Sequence, residues 1–384
     1  MLARSVRYRP VPRLVALDMP WDSAFVRALT TAWDAGDAVA PLDPRLPAPA
    51  SKQLVGALRP THVAGPDGSL VRMEGGIPPE RGDALVIATS GSSAAPKAVI
   101  LTKEAVIASA EATSLRLAVD PRRDKWLACL PLSHIGGLGV VTRAVLTGTA
   151  LVVHRRFDSG AVMREAEFGT NLVSVVAAAL RRIDAAVFKT VLLGGAAPPQ
   201  TTAPNVVTTY GMTETCGGVV YDGVPLDGVE VAVSEDDGAG EILVRGPMLL
   251  RAYRDGADPF LPGGWLPTGD AGTVDAEGLL HVLGRISETI NTGGEKVWPE
   301  TVERVLALHP LVAEVAVAGR PDDEWGQRVV AYVVAADSAS PPRLQELRES
   351  VSGQLAPWAA PRELVLVEAL PRMPSGKLAR RLLG

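Results

Sequence analysis

The stretch Thr89-Ser90-Gly91-Ser92-Ser93-Ala94-Ala95-Pro96-Lys97 joins small hydroxyl side chains, one glycine and a lysine. Such a loop can wrap a polyphosphate: backbone N–H groups and hydroxyls donate to phosphate oxygens, and a cation offsets their charge. It is not a Walker A loop, because GxxxxGK[ST] is absent. On loop chemistry alone, a plain Ser/Gly turn is the commoner reading. Four further constellations change the weighing. Tyr210-Gly211-Met212-Thr213-Glu214-Thr215 offers an aromatic face for a base, a hydroxyl for a phosphate and a carboxylate for Mg²⁺, which prefers oxygen ligands and keeps several waters. Upstream, Gly194-Gly195-Ala196-Ala197 closes an apolar strand with small residues, where a flat ring can approach the backbone. Trp265-Leu266-Pro267-Thr268-Gly269-Asp270 and Gly284-Arg285 supply an aspartate and an arginine that can grip two ribose hydroxyls. Pro371-Arg372-Met373-Pro374-Ser375-Gly376-Lys377 shapes a loop with a lysine at its tip. Each has a bland counterpart: a polar turn, a strand-end glycine pair, a surface salt bridge worth little, or a solvated tail lysine.

The elements that must position these residues follow from hydrophobic pattern. Short apolar runs at 85–88, 125–130, 150–154, 172–177 and 190–193 alternate with helical patterns such as 103–117, and 21–33 also reads as a helix. Strands of this kind between helices imply an α/β sheet covered on both faces. After about residue 218 the texture becomes β-rich with Gly/Pro/Asp turns, as expected of an antiparallel or barrel-like subdomain. Beyond residue 284, helices at 299–308 and 344–355, strands at 312–318, 329–335 and 363–366, and a polar connection at 319–327 make a small α+β module. The expected organisation is therefore a large domain over 1–284, a hinge at 285–287 and a small domain over 288–384.

Composition narrows the function. The chain has 384 residues, 47% of them hydrophobic and 21% charged, with a net charge of -5 and no basic run, so nucleic acid is not an expected partner. No apolar stretch is long enough for a membrane span, and no signal peptide is evident. Two distant cysteines, Cys129 and Cys216, fit a reducing cytoplasm better than a disulfide scaffold. The five histidines show no HExxH or HxxxH spacing, which argues against a protein-only transition-metal site.

Taken together and in order, these motifs resemble the adenylate-forming superfamily of acyl-CoA synthetases, peptide-synthetase adenylation domains and luciferases. The resemblance runs from about Ala38, whose run Ala38-Val39-Ala40-Pro41-Leu42-Asp43-Pro44-Arg45 looks like an early strand motif of that group, to the C-terminus. It implies ATP, Mg²⁺ and CoA as ligands and a two-step ligation through an acyl-adenylate. It implies that Thr89, Ser90, Gly91, Ser92, Ser93 and Lys97 hold the β- and γ-phosphates. Gly194, Gly195, Ala196, Tyr210 and Gly211 would hold adenine. Thr213 would touch the α-phosphate, Glu214 would bind the metal, and Asp270 and Arg285 would hold the ribose. Lys377 would be the catalytic lysine of adenylation. His134, in Leu130-Pro131-Leu132-Ser133-His134-Ile135-Gly136-Gly137, matches a position beside the acyl site. Gly293 and Gly294 would line the thiol tunnel, and Ser287 stands at the hinge, where the group usually carries Asp or Lys.

Two more departures are visible. Ala94 and Ala98 replace usual glycines of the phosphate loop, and only 88 residues precede Thr89, which favours a small acid over a long fatty tail. Finally, the run from Tyr210 through Cys216-Gly217-Gly218 to Val229 resembles that of actinobacterial o-succinylbenzoate–CoA ligases. That likeness implies an aryl acid lying against Thr215, Gly217 and Gly218, with Ser133, Thr142 and Arg143 as nearby candidates for a second carboxylate. Another aryl or small-acid CoA ligase, an enzyme that loads a carrier protein, and an inactive nucleotide-binding regulator are the alternatives. A homo-oligomer is left open.

Overall fold

The computed structural model describes residues 11–89, 96–195, 203–234, 239–372 and 378–383. The chain divides into two compact units. One comprises 1–194, 203–230 and 245–266, and the other 195–202, 231–244 and 267–384.

The first unit is built on two seven-stranded sheets. One contains β1 (Leu14–Leu17), β2 (Ala38–Pro41), β3 (His62–Ala64), β4 (Leu70–Arg72), β5 (Asp83–Thr89) and β6 (Lys97–Thr102), together with a late strand, Ala252–Tyr253. That late strand lies at one end and pairs antiparallel with β6, placing Tyr253 opposite Val99. The parallel strands β1 and β2 are buried along their whole length, as their unbroken apolar runs require for strands covered on both faces. The second sheet contains β7 (Lys125–Ala128), β8 (Ala150–Val153), β9 (Leu172–Val175), β10 (Thr190–Leu193), β11 (Val206–Met212), β12 (Gly217–Tyr221) and β13 (Val224–Pro225). Its parallel strands β7 to β11 give way to the antiparallel pair β11–β12.

Two helices carry this second sheet. Helix α1 (Lys103–Arg116) starts where Thr102 accepts a hydrogen bond from the Ala105 N–H at 3.1 Å, an N-cap worth about 1 kcal/mol. Its Ser109 hydroxyl donates to the Cys216 carbonyl (3.2 Å), and its Thr113 hydroxyl bonds the Tyr221 hydroxyl (3.1 Å). The helix thereby holds β12 and the turn before it. Helix α2 (Ile135–Thr147) packs beside α1 and begins directly after His134.

The second unit has a four-stranded sheet and a five-stranded one. The first consists of β14 (Glu230–Val233), β15 (Gly240–Arg245), β16 (Leu266–Val274) and β17 (Leu280–Arg285). The other contains β18 (Ile290–Thr292), β19 (Glu295–Val297), β20 (Val312–Asp322), β21 (Gly326–Ala335) and β22 (Glu363–Leu366). Its core joins Val302, Val305 and Leu306 of α3 (Pro299–Leu306), Val317, Val329 and Ala331 of the sheet, and Leu347 and Val351 of α4 (Leu344–Ser352). The connection expected over 319–327 is shorter than the sequence suggests. Strands β20 and β21 run on to Asp322 and from Gly326. Their polar residues are accommodated by ion pairs: Arg320 and Arg328 both reach Glu363, at 2.6 and 2.8 Å.

Candidate active site

In the first unit, Thr89 and Lys97 are partners in the β5–β6 ladder, so the loop between them leaves and returns on adjacent strands. The Lys97 ammonium lies 4.9 Å from the ring centre of Tyr253, and the Tyr253 hydroxyl donates to Glu214 Oε1 at 3.1 Å. Lys97, Tyr253 and Glu214 thus form one connected set of a cation, an aromatic hydroxyl and a carboxylate. Among the described residues, Oε2 of Glu214 has no hydrogen-bond partner, which suits a cation that takes one protein carboxylate and draws its remaining oxygens from phosphate and water. No group of three His, Cys, Asp or Glu side chains among the described residues could hold a metal by itself. Tyr253 was not read from the sequence. Its only mark there is an aromatic two residues after Arg251, and its place depends on the pairing of a two-residue strand with β6.

Glu214 owes its position to a tight turn. Strand β11 ends at Met212, residues Thr213–Thr215 form one 3₁₀ turn, and β12 begins at Gly217. A Cβ on Gly211 would lie 2.0 Å from the Gly217 carbonyl oxygen, so only glycine allows the two strands to approach this closely. Thr215 departs from its expected role beside the acid. It is fully buried, and its hydroxyl accepts from the Met212 N–H (2.9 Å) and lies 2.6 Å from the Gly217 carbonyl. The hydroxyl is consumed in building the turn. Neighbouring Cys216 is also buried, and burial pushes its thiol up to about 12, so it stays protonated. Gly217 and Gly218 follow on β12, and Tyr210 is half-buried opposite Val220. Gly194 sits at the end of β10, where a Cβ would meet the Thr209 hydroxyl at 2.8 Å.

The residues expected beside the acid cluster around α2. His134 occupies its N-cap position, and the Ser133 hydroxyl lies 3.4 Å from Asp43. Burial pushes the Asp43 carboxyl up, but the Arg45 guanidinium, bonded to both its oxygens, and the nearby His134 hold it below the usual range. Nine residues along from His134, Arg143 is buried at 8% exposure. Its guanidinium lies 4.9 Å from the Trp126 ring centre, and among the described residues neither Nε nor Nη1 has a hydrogen-bond partner. Burial pulls its pKa down, with only Tyr221 and Cys216 as nearby titratable groups to oppose this. A buried guanidinium without an anion is costly to keep, and it marks a place where an anion is wanted.

In the second unit, Asp270 and Arg285 are direct cross-strand neighbours on β16 and β17 and form a 2.9 Å ion pair. Arg285 also donates to the Thr268 carbonyl at 2.9 Å, and the Asp270 N–H donates to the Thr268 hydroxyl at 3.2 Å. Gly269 is fixed by an N–H bond to Glu241 at 2.8 Å. Gly293 and Gly294 form the two-residue turn of the β18–β19 hairpin with φ of 62° and 88°, the conformation such turns demand. Ser287 is exposed in the short turn Ile286–Glu288. Ser90, Gly91, Ser92, Ser93, Ala196 and Lys377 lie outside the described residues.

Residues 69–254 match the AMP-binding enzyme family, and residues 301–377 match the AMP-binding enzyme C-terminal domain. The chain belongs to this family of AMP-binding, adenylate-forming enzymes. Within it, the chain is 39% identical over 366 residues to a probable 2-succinylbenzoate–CoA ligase of Mycobacterium tuberculosis, covering 86% of this chain and 92% of the relative. The fold is that of o-succinylbenzoate CoA synthetase from Bacillus subtilis. Its complex with the acyl-adenylate intermediate superposes with a TM-score of 0.84 at 28% identity, over 97% of this chain and 88% of that one. Its complex with ATP and magnesium gives 0.83 at 28% identity, over 98% and 90%.

Proposed function

We propose that this chain is an ATP-dependent, AMP-forming 2-succinylbenzoate–CoA ligase. The observation that carries the substrate is Arg143. An aryl acid with a second carboxylate brings the anion that this buried guanidinium lacks, while a simple benzoate leaves it unpaired. The identity to ligases named for this substrate supports the same reading.

In the first step the acid's reacting carboxylate attacks the α-phosphate of ATP, and pyrophosphate leaves. The carboxylate is a weak nucleophile and the phosphate is ringed by anionic oxygens, so catalysis lies in positioning and charge neutralisation. Mg²⁺, held by Glu214, offsets phosphate charge when bound. Tyr253 fixes the Glu214 carboxylate through one oxygen. Thr89 and Lys97 flank the pyrophosphate loop, Thr213 serves the α-phosphate, and Asp270 with Arg285 holds the ribose hydroxyls. Tyr210, Gly211 and the small residues Gly194, Gly195 and Ala196 take the adenine. Lys377 supplies the positive charge of the adenylation step. His134, Gly217 and Gly218 border the acid. In the second step the CoA thiolate, reaching the site past Gly293 and Gly294, attacks the acyl carbon; the acyl–phosphate bond breaks and AMP departs. The segment around Ser287 is the hinge between the two steps. The partners are small molecules. No helix among the described residues is long and apolar enough to cross a membrane. The two cysteines, Cys129 and Cys216, are both buried as free thiols, which supports a reducing cytoplasm as the place of this enzyme.

The test is a panel of acids with ATP, Mg²⁺ and CoA, read by mass spectrometry for AMP and thioester. 2-Succinylbenzoate should be the preferred substrate. Arg143→Met should lower kcat/KM for it by roughly 10²–10³-fold, the cost of leaving a buried carboxylate unpaired, with little effect on monocarboxylic aryl acids. Equal loss for both kinds of acid, or none, would refute the assignment of Arg143. Turnover of a different acid alone would refute the substrate.

A further inference from the structure

Near the C-terminal end of the described residues, one arginine side chain holds three parts of the second unit together. Arg380 lies three residues after Lys377 in the sequence and is only 12% exposed. Its Nε donates to Glu288 Oε2 at 2.7 Å, and its Nη1 donates to the Val317 carbonyl at 2.6 Å and to Glu303 Oε1. Glu288 closes the turn that contains Ser287, Glu303 belongs to α3, and Val317 lies in β20. One guanidinium therefore joins the hinge turn, a helix and the strand β20 to the segment that follows Lys377.

The strand positions on either side of 373–377 are secured as well. Arg372 and Leu378 form an antiparallel bridge, the Ala379 N–H donates to the Pro371 carbonyl at 2.8 Å, and Arg372 pairs with Glu314 at 2.6 Å. Exposed ion pairs of the last kind contribute little. Arg380 differs because it is nearly out of water and its planar fork is met by two carboxylates and a carbonyl, which leaves it one orientation.

We propose that Arg380 is a positioning residue for the adenylation half-reaction, tying the segment that carries Lys377 to the turn that follows the hinge. It touches neither substrate nor the reacting atoms. The proposal rests on the reading of Lys377 as the lysine of adenylation. A displacement of about 1 Å in a charge-stabilising group costs up to about 10²-fold in rate, so loosening this anchor is felt in the step that uses the lysine. The thioester step does not use it.

The experiment measures the two half-reactions separately in the full-length protein: pyrophosphate release from ATP and acid, and thioester formation from supplied acyl-adenylate and CoA. Arg380→Ala should slow the first at least roughly tenfold and the second less than about threefold. Adding Arg380→Ala to Lys377→Ala should cause no further loss of adenylation, because both changes remove one function. Arg380→Lys, which keeps the charge but cannot reach all three acceptors, should recover only part of the rate. If Arg380→Ala fails to fold, Glu288→Gln tests the same link from the exposed side, with a smaller loss in the same half-reaction and the same lack of additivity with Lys377→Ala. Parallel loss in both half-reactions, full additivity with Lys377→Ala, or unchanged adenylation in either variant would overturn the proposal. Retention of adenylation by Lys377→Ala itself would overturn both this proposal and the role of Lys377 in the reading on which it rests.

Discussion

Glu300 offers the sharpest physical test of the small unit. It lies in the first turn of α3, and its carboxyl carbon is 3.4 Å from where a side chain on Gly284 would begin. Burial, and then the Glu303 carboxylate, push its pKa up from 4.5 to about 7; Glu288 and Asp270 act in the same direction and Arg380 against it. Moving a carboxyl that far corresponds to about 3 kcal/mol of differential stabilisation of its neutral form. Between pH 4.5 and 7 the folded protein holds a proton that the unfolded chain has released. Stability therefore falls as pH rises through this window, and the cost is fully present above about pH 7. Glu300→Gln replaces the ionising group with a neutral one of the same shape. Calorimetric unfolding of both proteins at pH 5, 6, 7 and 8 should show a growing advantage for the variant. The gap should be small at pH 5 and reach about 3 kcal/mol at pH 8, a shift on the order of 10 °C in the transition of the small unit. Parallel pH curves for the two proteins would refute the reasoning, because they would mean Glu300 ionises in the folded state as freely as in water.

Three further outcomes follow from the geometry. Tyr253→Phe removes the hydroxyl that fixes Glu214 and should lower adenylation about three- to tenfold while raising the Mg²⁺ concentration needed for half-maximal rate; an unchanged Mg²⁺ dependence would contradict that role. Asp270→Asn neutralises the buried partner of an ion pair and leaves the exposed Arg285 without its carboxylate, so the KM for ATP should rise at least tenfold while the KM for the acid stays within about twofold, as steady-state kinetics would show. Gly211→Ala places a methyl on the Gly217 carbonyl and should destabilise the first unit by about 2 kcal/mol or more, measured by urea unfolding.

The α/β pattern was legible because parallel strands write themselves as short apolar runs. The run at 85–88 is the core of β5, and that at 190–193 is β10 to the residue. Helix α2 was not read, because its start, Ile135-Gly136-Gly137-Leu138-Gly139, has poor helix propensity and is held by packing instead. The polar stretch 319–327 looked like a loop because cross-strand ion pairs to Glu363 leave no hydrophobic alternation to detect. The motif residues of the site stood out in sequence, but the residues that orient them did not. Tyr253 and Arg380 act on groups 39 and 77 positions away in the chain, through Glu214 and Glu303, and no local spacing announces such pairs. Arg143 was only one candidate among neighbours until its burial and missing partner set it apart. Thr215 misled for the opposite reason: it is part of a motif, yet its hydroxyl serves the turn.

The register of β16 against β17 has a consequence for folding order. Asp270 and Arg285 belong to one hairpin, so closing a short loop is enough to bring them together. Lys97, Tyr253 and Glu214 come from distant parts of the chain, and they meet only after the late strand Ala252–Tyr253 has added to the end of an otherwise complete sheet. The contact between Asp270 and Arg285 is thus local in sequence, whereas the contact that orients the Glu214 carboxylate joins distant parts of the chain. A chain that ends before residue 252 has the turn that holds Glu214 but lacks the hydroxyl that aims it, so the orientation of this carboxylate depends on a strand that joins the sheet from 39 positions downstream.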